Sequence, residues 1–178
     1  DMRNAFQEEL DSIHGTLVRM GQLVEESMSS ATKALLEPNL ELAQKIIKED
    51  DTIDDMQHEL DARTMLIIAR QSPVAGDLRT LVTSLRMSAD LERMGDMAHH
   101  IAKLARMRYP NCAVPSEIKE IIVQMDRVAV GIIQKTTAAI ETRNTTLALQ
   151  LEKDDDEMDK LHRQLFQALM QDDWSHGT

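Results

Sequence analysis

Aromatic residues are nearly missing from this sequence, with one Trp, one Tyr and two Phe among 178 residues. Proline and glycine are scarce too, at four and six. Ala, Leu, Ile, Met, Glu, Lys and Gln dominate, and no strand-like alternation is visible, so the composition reads as nearly all helix. A lone cysteine, Cys112, excludes an internal disulfide and suits a reducing cytosol. No apolar run approaches the roughly 18 residues that a membrane span needs, and the N-terminus lacks a charged-then-apolar signal segment. Met2, directly after Asp1, is read as the natural start. Positive charge is the minority: 20 Lys and Arg stand against 31 Asp and Glu, a formal charge of −11. That field repels phosphate backbones and argues against nucleic-acid binding, whereas divalent cations or basic protein surfaces fit it. No Gly-rich phosphate loop is present, and nothing points to a Ser-His-Asp triad. The twelve Met fit an aliphatic core with few aromatics.

What the sequence does have is a near-repeat. Residues 20–60 lie over 125–165 without a gap, at an offset of 105, the distance from Met20 to Met125. Identical pairs include Met20/Met125, Thr32/Thr137, Ala34/Ala139, Asn39/Asn144, Leu42/Leu147, Lys48/Lys153, Asp50/Asp155, Asp51/Asp156, Asp54/Asp159 and Leu60/Leu165. Repeated core residues predict a repeated fold unit. Helices are predicted at about 5–37, 39–71, 73–108, 115–142 and 144–173, with Asn39 and Asn144 as N-caps. Ser72 is expected to cap the third helix, with Pro73 at its first position. The 109–115 segment is the one clear linker. Short connections make neighbours antiparallel, so residues 1–110 are expected to form a three-helix bundle. Residues 111–178 then form a second bundle lacking its last helix. Segment 77–107 should recur near 182–212, past Thr178, and Trp174 to Gly177 reads as a turn into that further helix.

The acids carry the functional signal. On the third helix, Leu78, Leu81, Val82, Leu85 and Ala89 make an apolar stripe. Continued along the helix, the stripe reaches Glu92 and Asp96, about 20° to either side of Leu85. On the second helix, Leu42, Ile46, Ile53 and Leu60 form the stripe, with Asp50 inside its edge and Asp54 beside it. Asp155 and Asp159 repeat those places beside Leu147, Leu151, Met158 and Leu165. Each helix thus carries acid-x-x-x-Asp, and a desolvated acid pair needs a metal, a basic partner or a proton. Pairs converging from facing helices suit Mg, Mn, Zn or Fe ions. Arg79, Arg86 and Arg93, seven residues apart, are the competing counter-charges, and a plain helical interaction module is the reading if they neutralise the acids. An isolated acidic pair of this spacing is more often a solvated face. Asp55-x-x-His58, Asp96-x-x-His99 and Asp159-x-x-His162 add imidazoles one turn from an acid, and His99 and His100 flank the Glu92/Asp96 face. The alternative function is a di-iron or other metal carboxylate oxidase or storage bundle. Such bundles use paired Glu-x-x-His, which this sequence lacks.

The runs Ser72 to Arg79 (SPVAGDLR) and Ala89 to Asp96 (ADLERMGD), with Ile101-Ala102-Lys103, resemble the PhoU family of phosphate-uptake regulators. The helical repeat and the Asp50/Asp54 and Asp155/Asp159 pairs match as well, so the resemblance covers essentially the whole chain. It implies an all-α tandem repeat of three-helix bundles with multinuclear metal sites and no enzymatic activity. Asp50, Asp54, Glu92, Asp96, Asp155 and Asp159 become the metal candidates; Asp51, Asp90, His99 and His100 form a second rank. His100 stands where the family pattern leads us to expect Asn. The implied role is a cytoplasmic negative regulator of the phosphate-starvation response. The implied partners are the ATPase of a phosphate ABC transporter and a phosphate-sensing histidine kinase, with the membrane reached only through them. A homodimer is compatible with this reading.

Overall fold

In a computed structural model of the chain, residues 2–110, 116–142 and 145–171 are described. Five helices account for nearly all of them: α1 (Met2–Leu36), α2 (Leu40–Gln71), α3 (Ala75–Arg108), α4 (Ser116–Thr142) and α5 (Thr145–Gln171). The expected boundaries hold to within a few residues. Asn144, Cys112, Pro115, the 174–177 segment and the side chains of Thr137, Ala139, Leu147 and Leu151 lie outside what is described. No helix among the described residues is long and apolar enough to cross a membrane.

α1, α2 and α3 pack against one another, α4 packs on α5, and α1 also lies along α4. The seams follow a three-four spacing. On α1 the buried residues Leu10, Ile13, Leu17, Met20, Val24, Ser27, Ala31 and Ala34 run in that order. Coiled-coil-like spacing keeps one face turned toward its neighbours along a long helix. The repeat is visible in the packing: Met20 and Met125 are both fully buried, and Leu60 and Leu165 are 0% and 6% exposed.

Two expectations change. Ser72 does not cap α3; it ends α2 in the left-handed region at φ 42°, and α3 starts after Val74, which makes no side-chain cap. Pro73 disfavours a right-handed helical Ser72, so the turn begins one residue early. Asn39 caps as expected, its Oδ1 accepting from the Leu42 N–H at 3.0 Å.

The α3 seam is also displaced from the predicted stripe. Leu81 is buried, but Leu78 and Val82 are 38% and 45% exposed. The buried face instead holds Leu81, Ser84, Met87, Ser88, Leu91, Met94, Gly95, Met97, Ala98, Ile101, Ala102 and Ala105. Between Leu81 and Leu91 the small Ser84 and Ser88 occupy this face, so the apolar Leu78, Val82 and Leu85 point away from it. Farther along, Gly95 and alanines sit as small residues among the Met and Ile residues. These small residues let α3 approach closely. A Cβ on Gly95 would stand 3.3 Å from Ile53 Cγ2 and 3.7 Å from Val24 Cγ2. We therefore expect Gly95→Leu to cost about 1–3 kcal/mol by overpacking, read from the urea midpoint. Gly95→Ala should be near neutral, because its gain of about 1 kcal/mol in helix propensity offsets the tight contact.

Candidate metal centre

Asp50 takes a seam position on α2. The row Ala43, Ile46, Ile53, Leu60, Thr64 and Ile67 is buried, and Asp50 falls in the gap that the three-four spacing leaves between Ile46 and Ile53. Its side chain is 13% exposed. Across from it on α3, Glu92, Asp96 and His99 share one row, because they lie three to four residues apart. The α2 and α3 acids therefore converge, as the sequence predicts. His99 Nδ1 lies 3.4 Å from Asp50 Oδ2, and the carboxyl groups of Glu92 and Asp54 are hydrogen-bonded to each other. Asp96 is half exposed, with His100 Nδ1 3.8 Å from its Oδ2. Asp51 points outward and acts on Asp50 only through its charge.

This cluster holds uncompensated negative charge. Burial first, and then the Asp54, Asp96 and Asp51 carboxylates, push the Asp50 carboxyl above its ordinary range, with His99 opposing. Glu92 is raised by burial, then by the charge and hydrogen bond of Asp54, and further by Asp96 and Asp50. Asp50 Oδ1 and His99 Nδ1 are buried and make no hydrogen bond among the described residues. Carboxylate oxygens with one imidazole form a hard-to-borderline donor set, and the orphaned Asp50 oxygen gives a cation a buried acceptor. The donors fit a divalent ion in chemistry and charge. They are not gathered into a ligand shell: among the described residues no three His, Cys, Asp or Glu are placed to hold a metal.

The α5 acids go elsewhere. Asp155 is hydrogen-bonded to Asp90 of α3, and Asp159 Oδ1 lies 3.3 Å from Arg93 Nη1. Arg93 Nη2 in turn lies 3.7 Å from Asp90 Oδ1. Burial, then the hydrogen bond and charge of Asp90, raise the Asp155 carboxyl to about 8; Arg93 lowers it and Asp159 adds to the rise. Asp154 pairs with Lys135 of α4, while Asp156 and Glu157 are exposed. The six candidates thus fall into two clusters on two rows of α3: Glu92, Asp96 and His99 toward α2, and Asp90 and Arg93 toward α5. The sequence reading missed the Asp90–Asp155 contact, since nothing local marks a pairing between helices so far apart in the chain. His58 is exposed, its Nδ1 2.7 Å from the Asp54 carbonyl. His100 and His162 line an apolar groove of about 270 Å³ with Met97, Ile101, Leu104 and Met107.

Comparison with known proteins agrees with the repeat. The PhoU domain family matches residues 17–105 and again 122–175, two stretches whose starts are offset by the internal repeat distance. A protein of Mycobacterium tuberculosis, the phosphate-specific transport system accessory protein PhoU homolog 2, is 38% identical over 99% of this chain and 83% of its own length. The PhoU homolog of Clostridium acetobutylicum is 35% identical over 94% of this chain and 76% of its own. Among solved structures, PhoU from Pseudomonas aeruginosa superposes with a TM-score of 0.73 at 27% identity, covering 93% of this chain and 78% of that one. The PhoU regulatory protein from Streptococcus pneumoniae gives 0.72 at 26% identity, with coverages of 90% and 74%.

Proposed function

Because the chain belongs to the PhoU family, we propose that it is a cytoplasmic accessory regulator of phosphate uptake that restrains the phosphate-starvation response. Its partners are the ATPase of the phosphate transporter and a phosphate-sensing kinase, and its output is contact, not turnover. The relatives' description as accessory proteins of a phosphate-specific transport system supports the transporter side. Acidic helical faces on a chain of charge −11 suit basic partner surfaces, where charge steers encounter and register.

The regulator binds a divalent metal between α2 and α3, with Asp50, Asp54, Glu92 and Asp96 as ligands and His99 beside them. The observation that carries this part is the buried, unpartnered Asp50 oxygen amid carboxyls that repel one another. A bound cation supplies positive charge that ties α2 to α3. The residues themselves orient the donors: the seam position of Asp50 fixes it from α2, and Gly95 lets α3 come close enough to present Glu92 and Asp96.

Deleting the gene, in a genome without a second copy, is expected to switch starvation genes on in phosphate-rich medium. Wild type should restore repression, and a Glu92→Gln/Asp96→Asn variant should restore it only weakly. Normal repression in the deletion strain rejects the regulatory role. Co-purification of the kinase with wild type but not with the variant separates contact from catalysis.

A further inference from the structure

The two acid clusters differ in one respect: the α3–α5 cluster already holds a cation. The Arg93 guanidinium reaches Asp159 of α5 through Nη1 and Asp90 of α3 through Nη2, at 3.3 and 3.7 Å. A planar fork with donors on separate nitrogens bridges two carboxylates in a way that a lysine point charge does not. The α2–α3 cluster has no such group among the strongest charges acting on Asp50 and Glu92, which are carboxylates opposed only by His99.

We propose that Arg93 is a specificity-determining residue: its guanidinium is the resident counter-ion of Asp90 and Asp159, and it directs divalent metal to the α2–α3 acids by discouraging it at the α5 acids. The contrast between clusters rests on the metal reading above; the role of Arg93 at the α5 acids does not. Both jobs fall to one helix because Glu92 and Arg93 are sequence neighbours, about 100° apart around α3. The Arg93 and Asp159 side chains are 46% and 39% exposed, so the ion pair adds little to stability. Its effect is on occupancy. A divalent ion entering at Asp155 and Asp159 must either push the guanidinium aside or sit beside it. Losing an exposed ion pair corresponds to about fivefold in affinity. Leaving a unit positive charge about 4 Å from a divalent ion corresponds to about thirtyfold even with the screening of water.

Titration calorimetry and elemental analysis with Mn²⁺ on the full chain test this. In wild type, Asp155→Asn/Asp159→Asn should leave the tight Mn²⁺ stoichiometry unchanged. Arg93→Gln should tighten a second Mn²⁺ site by about five- to thirtyfold, and the same two Asn substitutions added to it should remove that gain. Arg93→Lys, which retains the charge without the fork, should fall between. The proposal is overturned if neutralising Asp155 and Asp159 in wild type removes tightly bound Mn²⁺, or if folded Arg93→Gln shows no tightening. Should Arg93→Gln fail to fold, the wild-type comparison decides alone. Loss of all tight binding on Glu92→Gln/Asp96→Asn concerns the α2–α3 site, so that reading and this one fail separately.

Discussion

Replacing Glu92 by Gln and Asp96 by Asn together is expected to abolish divalent-cation binding between α2 and α3 and, without metal, to make the protein more stable. Both effects have one origin. Glu92 is partly buried against Asp54, Asp96 and Asp50, and its carboxyl is raised because the ionised form is disfavoured there. Neutral amides of the same shape remove that repulsion while they remove the ligands. For a chain of this size, relief of about 1 kcal/mol raises the melting temperature by about 2–4 °C. Metal reverses the order. At a Mn²⁺ concentration one hundred times the dissociation constant, wild type gains about 2.7 kcal/mol and the variant gains none. The melting curves should therefore cross as Mn²⁺ is added. Equal Mn²⁺ stoichiometry in the two proteins would sink the ligand assignment; a variant less stable than wild type in chelator would sink the repulsion argument.

The variant pair can be chosen from sequence because Asp50 breaks an otherwise apolar seam and the break recurs at Asp155. A carboxylate in a buried row is costly and therefore informative. The packing face of α3 was not legible in the same way. Its seam mixes Ser84, Ser88, Gly95 and alanines with Met87, Leu91, Met94 and Ile101, and over its first half the exposed Leu78 and Val82 give a stronger hydrophobic signal than the buried serines. Glu92 and Asp96 still land beside Asp50, because the true seam passes next to them at Leu91 and Gly95. Pairings between the repeats lay beyond sequence altogether. Nothing near Asp90 says that it meets Asp155, since that contact depends on how α1 seats against α4. At that seat a Cβ on Gly21 would stand 3.3 Å from Ile133 Cγ2, and Ser29 Oγ donates to Asp126 Oδ1 at 3.5 Å.

α3 is consequently the helix through which both repeats are read. One row faces α2 with carboxyls that repel one another, and the next meets α5 through the Arg93–Asp159 ion pair. Occupancy on the first row and the α5 contact on the second share a backbone, with Glu92 and Arg93 adjacent. On the function proposed above, metal on the first row would change the charge that a partner meets along α3.

The metal-free protein is expected to lose stability as pH rises from about 4 to about 8, and Asp155 is the main cause. An ordinary aspartate titrates near 3.9 in the unfolded chain. In the folded protein burial and the Asp90 carboxyl raise Asp155 to about 8. Between those values the folded state holds a proton that the unfolded state has released. Unfolding free energy then falls with pH, because the slope follows protons bound by the unfolded state minus those bound by the native state. The contribution is complete below about pH 4 and gone above about pH 8. Asp50, Glu92 and Asp126 are also raised, each chiefly by burial, and add slope of the same sign at the acidic end of the window. After allowance for solvent screening at a half-buried position, the Asp155 share is on the order of a few kcal/mol. Asp155→Asn retains a donor for the Asp90 carboxylate and removes the titration. Urea midpoints in chelator should fall from pH 5 to pH 8 for wild type and stay much flatter for the variant. The variant should be the more stable protein at pH 8 and have no advantage at pH 5. Parallel profiles for the two proteins would place the titration elsewhere and discard the shared proton between Asp90 and Asp155.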